Sequence, residues 1–383
     1  MKVIVCGAGI AGLALAHRLS ALGQEVIVLE RSPGPRTQGY MIDFFGPGLD
    51  AMEAMGLLPA LRDVAYQVPE ALLVDDRGRS RARVATDRFA AGELLSVTRP
   101  DLEDVLRAHL PDGVDLRYGV PVVDGAQGDG VRVTTADGST VDGDVLIGAD
   151  GIHSAVRRIV FGPERDYLRY LGFHTAAYTF DAPHIHEEVD GRFCLTDSIG
   201  SQFGFYALRD GRVASFAVHR TPDPVLPTDL RAAIQSAYSD LGWVVPEALA
   251  ACPAPDQIYY DQVAQIVMPS WSKGRVGLVG DACQAVSLLA GQGASLGIAG
   301  AYVLAGELAR ATSPEAGLAA YERVWRPIAE EKQKVGRSAA RWFLPASRTQ
   351  LILRRLMLRL PFARQLLAAA LAGKPTTLIR ELA

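Results

Sequence analysis

An apolar run, Val3-Ile4-Val5-Cys6, stops at Gly7-Ala8-Gly9-Ile10-Ala11-Gly12, and an amphipathic stretch follows through His17-Arg18. A second run, Glu25-Val26-Ile27-Val28-Leu29, ends at Glu30. This order predicts strand, helix, strand: a βαβ unit over residues 1–30. The run Val145-Leu146-Ile147 ends in Gly148-Ala149-Asp150-Gly151, and Arg275 to Asp281 repeats the form, as buried parallel strands do. Ala71 to Val74 reads as a strand, Asp50 to Leu58 as a short helix, and Val114 to Val141 as short strands with Asp/Gly turns. Arg99-Pro100 opens a helix with acids in its first turn, where the helix dipole favours them. Gly293 to Arg310, Glu315–Arg341 and Thr349–Ala372 predict long helices.

Between about 165 and 268 the period falls to two. Phe193 to Leu195, Phe203 to Leu208 and Val213 to Val218, separated by Gly and Asp, predict an antiparallel sheet forming one face of a binding chamber. His184-x-His186 reads as two positions on one strand face, with no third ligand to make a metal site. The chain is therefore α/β, with a nucleotide-type unit interrupted by a sheet and resumed later.

Composition removes several function classes. With 383 residues and a formal net charge of −4, the chain carries no basic footprint for nucleic acid. Its four cysteines, Cys6, Cys194, Cys252 and Cys283, lie far apart and fit a reducing, cytoplasmic setting. The N-terminal apolar run is broken by glycines, unlike an export signal. No uninterrupted apolar run reaches the length of a membrane span, about 18 residues. Arg348 to Arg364 reads as a basic amphipathic helix whose apolar face packs on its own protein, so no stable membrane association is expected.

In the first unit Gly7 allows the turn, Gly9 admits a pyrophosphate to the backbone, and Gly12 lets helix and strand pack closely. Glu30 ends the second strand, where an acid can accept from an adenosine ribose. Three later segments answer this one. Gly148-Ala149-Asp150-Gly151-Ile152-His153-Ser154-Ala155-Val156-Arg157 resembles the DG motif of the flavoprotein aromatic hydroxylases. Gly277-Leu278-Val279-Gly280-Asp281-Ala282 resembles their GD motif, and Ala290-Gly291-Gln292-Gly293-Ala294 the AGQG that follows it. Four motifs in order, over residues 1 to about 340, make the chain similar to the single-component FAD monooxygenases of the p-hydroxybenzoate hydroxylase type. In layout it is nearest to the tetracycline-type members.

The resemblance implies a Rossmann-type FAD-binding domain over 1–70, 96–165 and 269–340. It implies a mostly antiparallel substrate-binding sheet over 71–95 and 166–268, and a C-terminal helical segment over 341–383. It also implies FAD contacts from Gly7, Gly9, Ala11, Gly12, Glu30, Arg31, Arg36, Asp43, Arg99, Asp150, Asp281, Gly291, Gly293 and Ala294. Asp150 and Arg157 match a family pair bracing the nucleotide loop. Backbone N–H groups at the start of the helix after Gly291 would face the flavin pyrimidine. Met41, Phe193, Phe205 and Phe216 are candidates for the substrate chamber, with Tyr40, Phe45, Tyr206 and His219 near them; no catalytic base is assignable.

The implied reaction uses NADPH or NADH as a transient co-substrate and O₂, through a C4a-hydroperoxyflavin, on an aromatic or polycyclic, polyketide-like small molecule. No second glycine motif exists for the nicotinamide cofactor, as in single-component hydroxylases. The protein is expected as a monomer or homodimer. The family pattern GDAxHxxxPxxGQGxNxxxxDA is altered at Gln284, Leu288, Ser295 and Gly300. These departures leave open a second class: an FAD-bound cyclase or isomerase, or a flavin-binding protein without oxygenase activity.

Overall fold

The computed structural model describes residues 1–36, 40–85, 93–287, 291–357 and 376–382, apart from the side chains of 339–343 and 357. The first unit is β1 (Lys2–Cys6), α1 (Ile10–Ala21) and β2 (Glu25–Glu30). Next come β3 (Met41–Phe45), α2 (Pro47–Ala54), α3 (Leu58–Asp63), β4 (Glu70–Val74), β5 (Ser80–Ala85) and β6 (Leu94–Thr98). Then follow α4 (Arg99–Ala108), β7 (Val114–Tyr118), β8 (Val122–Gln127), β9 (Val131–Thr135), β10 (Thr140–Gly143), β11 (Val145–Gly148) and α5 (Ala155–Val160). The middle region holds β12 (Leu168–Phe180), α6 (Pro183–Val189), β13 (Arg192–Asp197), β14 (Ser201–Ala207), β15 (Val213–Arg220), α7 (Leu230–Tyr238), α8 (Val245–Ala250) and β16 (Tyr259–Ile266). The chain continues through β17 (Ser272–Lys273), β18 (Val276–Leu278), α9 (Asp281–Gln284), α10 (Gly293–Arg310), α11 (Pro314–Phe343), α12 (Arg348–Met357) and α13 (Leu378–Leu382).

Two large sheets organise the molecule. The first has the order β17-β18-β11-β1-β2-β7, parallel except for β17. Its inner strands, β18, β11, β1 and β2, are almost wholly apolar because helices cover them, whereas the edge strands β7 and β17 carry polar residues; α10 packs against α1, α2 and α11. From β1 the chain runs outward to β2 on one side, and β11 lies on the other. The carboxyl ends of β1, β2, β11 and β18 therefore open on a topological switch point, where such sheets bind ligands.

The second sheet has the order β16-β12-β15-β14-β13-β4-β5. It is antiparallel except where β13 runs parallel to β4. The sequence at 94–98 does not join it: β6 pairs with β3 as a separate ribbon. Both sheets border one cavity.

Three local expectations need correction. His184 and His186 sit on α6, not on a strand. Pro183 at the helix start favours helix there. His186 Nε2 is 2.8 Å from the Leu208 carbonyl, and His184 pairs with Glu247. The short helix expected from Asp50, with its end near Gly56, begins earlier, at Pro47, and ends at Ala54. The basic helix α12 is docked by its arginines rather than its leucines. Ile352, Leu353 and Leu356 are exposed, while Arg354 and Arg355 bond inward to Asp197. The remainder of the helix expected to Ala372 lies outside the described residues. No helix among the described residues is long and apolar enough to cross a membrane.

Candidate active site

The cavity at the sheet edge has a volume of about 1010 Å³. Gly7 turns the chain out of β1 at φ +109°, and an added Cβ there would lie 2.6 Å from the Ala149 carbonyl oxygen. Gly12 does not line the cavity. It presses on the Gly7 carbonyl, so any side chain there would push α1 off the turn. Glu30 is buried and fixed from both sides: Oε2 accepts from Ala8 N–H and Oε1 from Ser32 N–H, each at 2.8 Å. Each carboxylate oxygen keeps a further lone pair. Arg36 Nη2 stands 3.6 Å from Glu30, and Arg31 borders the same end. Helix α1 starts at Gly9 with no side-chain cap, so its first N–H groups face the cavity unassisted.

The β3–β6 ribbon carries the next group. Thr98 caps α4 by accepting from Asp101 N–H, and Arg99 N–H donates to the Tyr40 carbonyl. Arg99 Nε donates to buried Glu103 at 3.1 Å. Burial opposes the Arg99 charge, but Glu103, Tyr40 and Tyr259 outweigh it and its pKa rises. Asp43 accepts from Ser96 Oγ at 2.8 Å; burial raises its pKa and the Ser96 bond opposes this. Asp281 follows β18 at the same edge. Burial raises its pKa, Arg99 opposes the rise and Asp261 adds to it. Gly291, Gly293 and Ala294 line the cavity at the start of α10, which also begins without a side-chain cap.

Asp150 lines the cavity, yet its oxygens are committed to structure: they accept from Ser154 Oγ and from the N–H groups of Ala155 and Val156. Arg157 is fully buried. It donates to the carbonyls of Ala282 and Ile152 and to Glu164, tying the DG segment to the GD segment from behind.

The second sheet forms the opposite wall. Register places Tyr259, Ala177, Phe216, Gly204 and Leu195 in one cross-strand row, and Thr179, Ala214, Tyr206, Phe193 and Ala71 in the next. Cross-strand partners share a face, so these rows look into the cavity together. Phe193 stacks on Tyr206 at 4.3 Å and lies over Gly204, where a Cβ would strike its ring. Met41, Asp43 and Phe45 alternate along β3 on the facing side.

Phe205 is not in this set. Strand alternation sends it to the other face, where it packs on Phe180, Phe203 and Trp243. His219 is likewise on the far side, 3.1 Å from Tyr238 Oη.

The FAD binding domain family matches residues 1–334. Uncharacterized protein Rv1260 of Mycobacterium tuberculosis (strain ATCC 25618 / H37Rv) is 37% identical over 350 residues, covering 86% of this chain and 91% of that protein. A flavin-dependent monooxygenase from an unknown prokaryotic organism is 30% identical over 343 residues, covering 88% of each. The chain belongs to the FAD-dependent monooxygenases. The crystal structure of tetracycline destructase Tet(55) superposes on this monooxygenase with a TM-score of 0.82 at 28% identity, covering 96% of this chain and 97% of that one.

Within that family the three described departures have packing partners. Gly300 faces the indole of fully buried Trp325: a Cβ at 300 would lie 2.6 Å from Trp325 Nε1 and 3.0 Å from Gln284 Nε2. The indole and the Gln284 amide thus crowd the space that an aspartate at 300 would enter. Ser295 Oγ donates to the Phe45 carbonyl and accepts from Gly48 N–H, fastening α2 to α10. Leu288 lies outside the described residues.

Sequence reasoning passed over four residues of this monooxygenase's cavity. Tyr259 meets the Tyr40 ring at 5.2 Å. Asp261 lies in line with Thr175 and Gln202 along the wall and accepts from His153 at 3.2 Å. His153 also meets Glu164 at 3.0 Å. Its pKa is raised to about 9, chiefly by the bond to Asp261, then by Glu164, against burial. Gln202, a polar position inside an apolar strand, was the readable signal among them. Arg354 enters from α12, a helix whose direction of docking no local pattern states.

Proposed function

We propose that the protein is an NAD(P)H- and O₂-dependent monooxygenase that adds one oxygen atom to an aromatic or polycyclic small molecule. The observation that carries this reading is continuity. One cavity runs from the glycine turn and Glu30, past Arg99 and Asp281, to the apolar wall of Phe193, Tyr206 and Phe216. The uncapped starts of α1 and α10 and the cradle at Gly7 fit FAD. Bound FAD supplies electron storage and activation of O₂.

The chain's own residues position the participants. Gly9 and Ala11, with the first turn of α1, would offer N–H groups to the pyrophosphate, while Gly7, its own N–H bonded to the Leu29 carbonyl, turns the chain beneath it and Gly12 holds α1 close. Glu30, with Arg31 and Arg36, takes the adenosine ribose end. Asp150 holds the adjoining loop in place. Arg99, Asp43 and Asp281 hold the ribityl and flavin region. Gly291, Gly293 and Ala294, at the uncapped start of α10, would present the positive end of that helix to the flavin, where it would stabilise negative charge on the ring. Met41, Phe193 and Phe216 exclude water around the substrate. The tetracycline destructase among the structural neighbours supports a polycyclic substrate.

Anaerobic addition of NADH or NADPH to the purified yellow protein tests the reading. Bleaching of the flavin, followed by substrate-stimulated O₂ uptake, is expected. A flavin that neither nucleotide bleaches would contradict it, and conversion of substrate without reductant or O₂ would make the protein a cyclase or isomerase.

A further inference from the structure

One end of the cavity holds charge that its neighbours do not balance. The Asp197 side chain is completely buried; Oδ2 pairs with Arg354 Nη1 at 3.0 Å and Oδ1 with Arg355 Nη2 at 2.8 Å. Among the described residues no other carboxylate pairs with either guanidinium. Residues 358–375, beyond α12, contain Arg359, Arg364 and Lys374 but no acid. Burial lowers the Arg354 pKa, Asp197 opposes this and Arg355 adds to the lowering. One anion thus stands against two cations, and Arg354 is the cation that borders the cavity.

The geometry leaves Arg354 donors to spare. Nη2 donates to Gln202 Oε1 at 3.2 Å, and with the Asp197 bond this orients the guanidinium plane. A guanidinium has five N–H donors in a fixed fork, matched to a planar two-oxygen acceptor. Ser338 of α11 also lines the cavity. The sheet wall is graded to suit: Asp261, Thr175, Val218, Gln202 and Asp197 share a row that is polar except at Val218, and the row beside it toward Phe216 holds Tyr259, Ala177, Gly204 and Leu195. The docking of α12 is a separate sign. A helix that leaves Ile352 63% and Leu356 56% exposed while turning two arginines inward is not arranged to bury apolar surface. It is arranged to hold a cation at the cavity.

We propose that Arg354, oriented by Asp197 and Gln202, is a carboxylate subsite. It selects flat aromatic acids whose ring system lies along Met41, Phe193, Leu195 and Phe216. This names the substrate class of the proposed monooxygenase and rests on the chamber being its substrate site, but it does not require turnover.

Calorimetric titration of the FAD-loaded full chain with 2-naphthoate and with neutral, near-isosteric 2-naphthamide tests it. The acid is expected to bind about ten-fold or more tightly than the amide, the worth of one charge-assisted paired contact. In Arg354→Gln the preference should vanish while amide affinity stays within about two-fold. Arg354→Lys, a point charge without the fork, should restore part of it. Equal affinities, no binding of either probe, or a preference that survives Arg354→Gln would overturn the proposal. The comparison on the unmutated protein stands even if a variant fails to fold. Acid preference in a protein whose flavin neither NADH nor NADPH bleaches would contradict the function above and leave the subsite standing; turnover of neutral compounds with no acid preference would do the reverse.

Discussion

Gly300 and Trp325 set the terms at the scale of single residues. Glycine inside a helix normally costs about 1 kcal/mol against alanine. Here a methyl group would enter the space of a tryptophan with no exposed surface. Overpacking of about 1–3 kcal/mol should win, so Gly300→Ala is expected to lower the denaturation midpoint. A raised midpoint would mean that the indole can move aside. His153 gives the second residue-scale test. Its folded pKa, about 9, stands above the ordinary 6.5 because Asp261 and Glu164 favour the charged ring. A raised pKa means stabilisation that is complete below about 6.5 and lost as pH climbs through about 9. Denaturation curves of the native protein should therefore fall more steeply over that window than those of His153→Gln. Parallel curves would show that the ring is not held as a cation. His153 was visible in the sequence as part of a motif, but Asp261 lies more than a hundred residues away, and only the sheet brings the two together.

Alternation along β14 decides which aromatics serve the cavity and which serve the core. Gln202, Gly204 and Tyr206 face one way; Phe203 and Phe205 face the other, against α6, α7 and α8. Phe205→Ala is expected to cost about 3–5 kcal/mol of stability, with little change in the affinity of an aromatic ligand. Phe193→Ala should cost less stability, since that ring is partly exposed, and should weaken the ligand instead. Denaturation and ligand titration on both variants separate the two faces; the same loss of affinity in both would contradict the assignment. The alternation itself was legible. Which parity faced the ligand was not, because two aromatic faces look alike until a second layer is placed against one of them. The same limit applied to α12, where the sequence shows an amphipathic helix but not that the basic side turns inward.

At the scale of the molecule, what was legible followed from backbone geometry that few residue types satisfy. Gly7, Asp150-Gly151 and Gly280-Asp281 each follow a parallel strand at one sheet edge, and Gly12 packs α1 onto the first of these turns, so motif and position coincide. The chamber was less legible because its walls come from β3, the second sheet and the last helices, joined by pairings far apart in sequence. In the proposed function that assembly couples the nucleotide end and the apolar wall as parts of a single reaction site. The most direct measurement is the stoichiometry of NAD(P)H oxidation and O₂ uptake in a screen of flat aromatic acids, with the product analysed after reaction under isotopically labelled O₂. One O₂ consumed per NAD(P)H and one labelled oxygen atom in the product are expected. Product formed without labelled oxygen, or formed equally well without NAD(P)H, would contradict the proposed function.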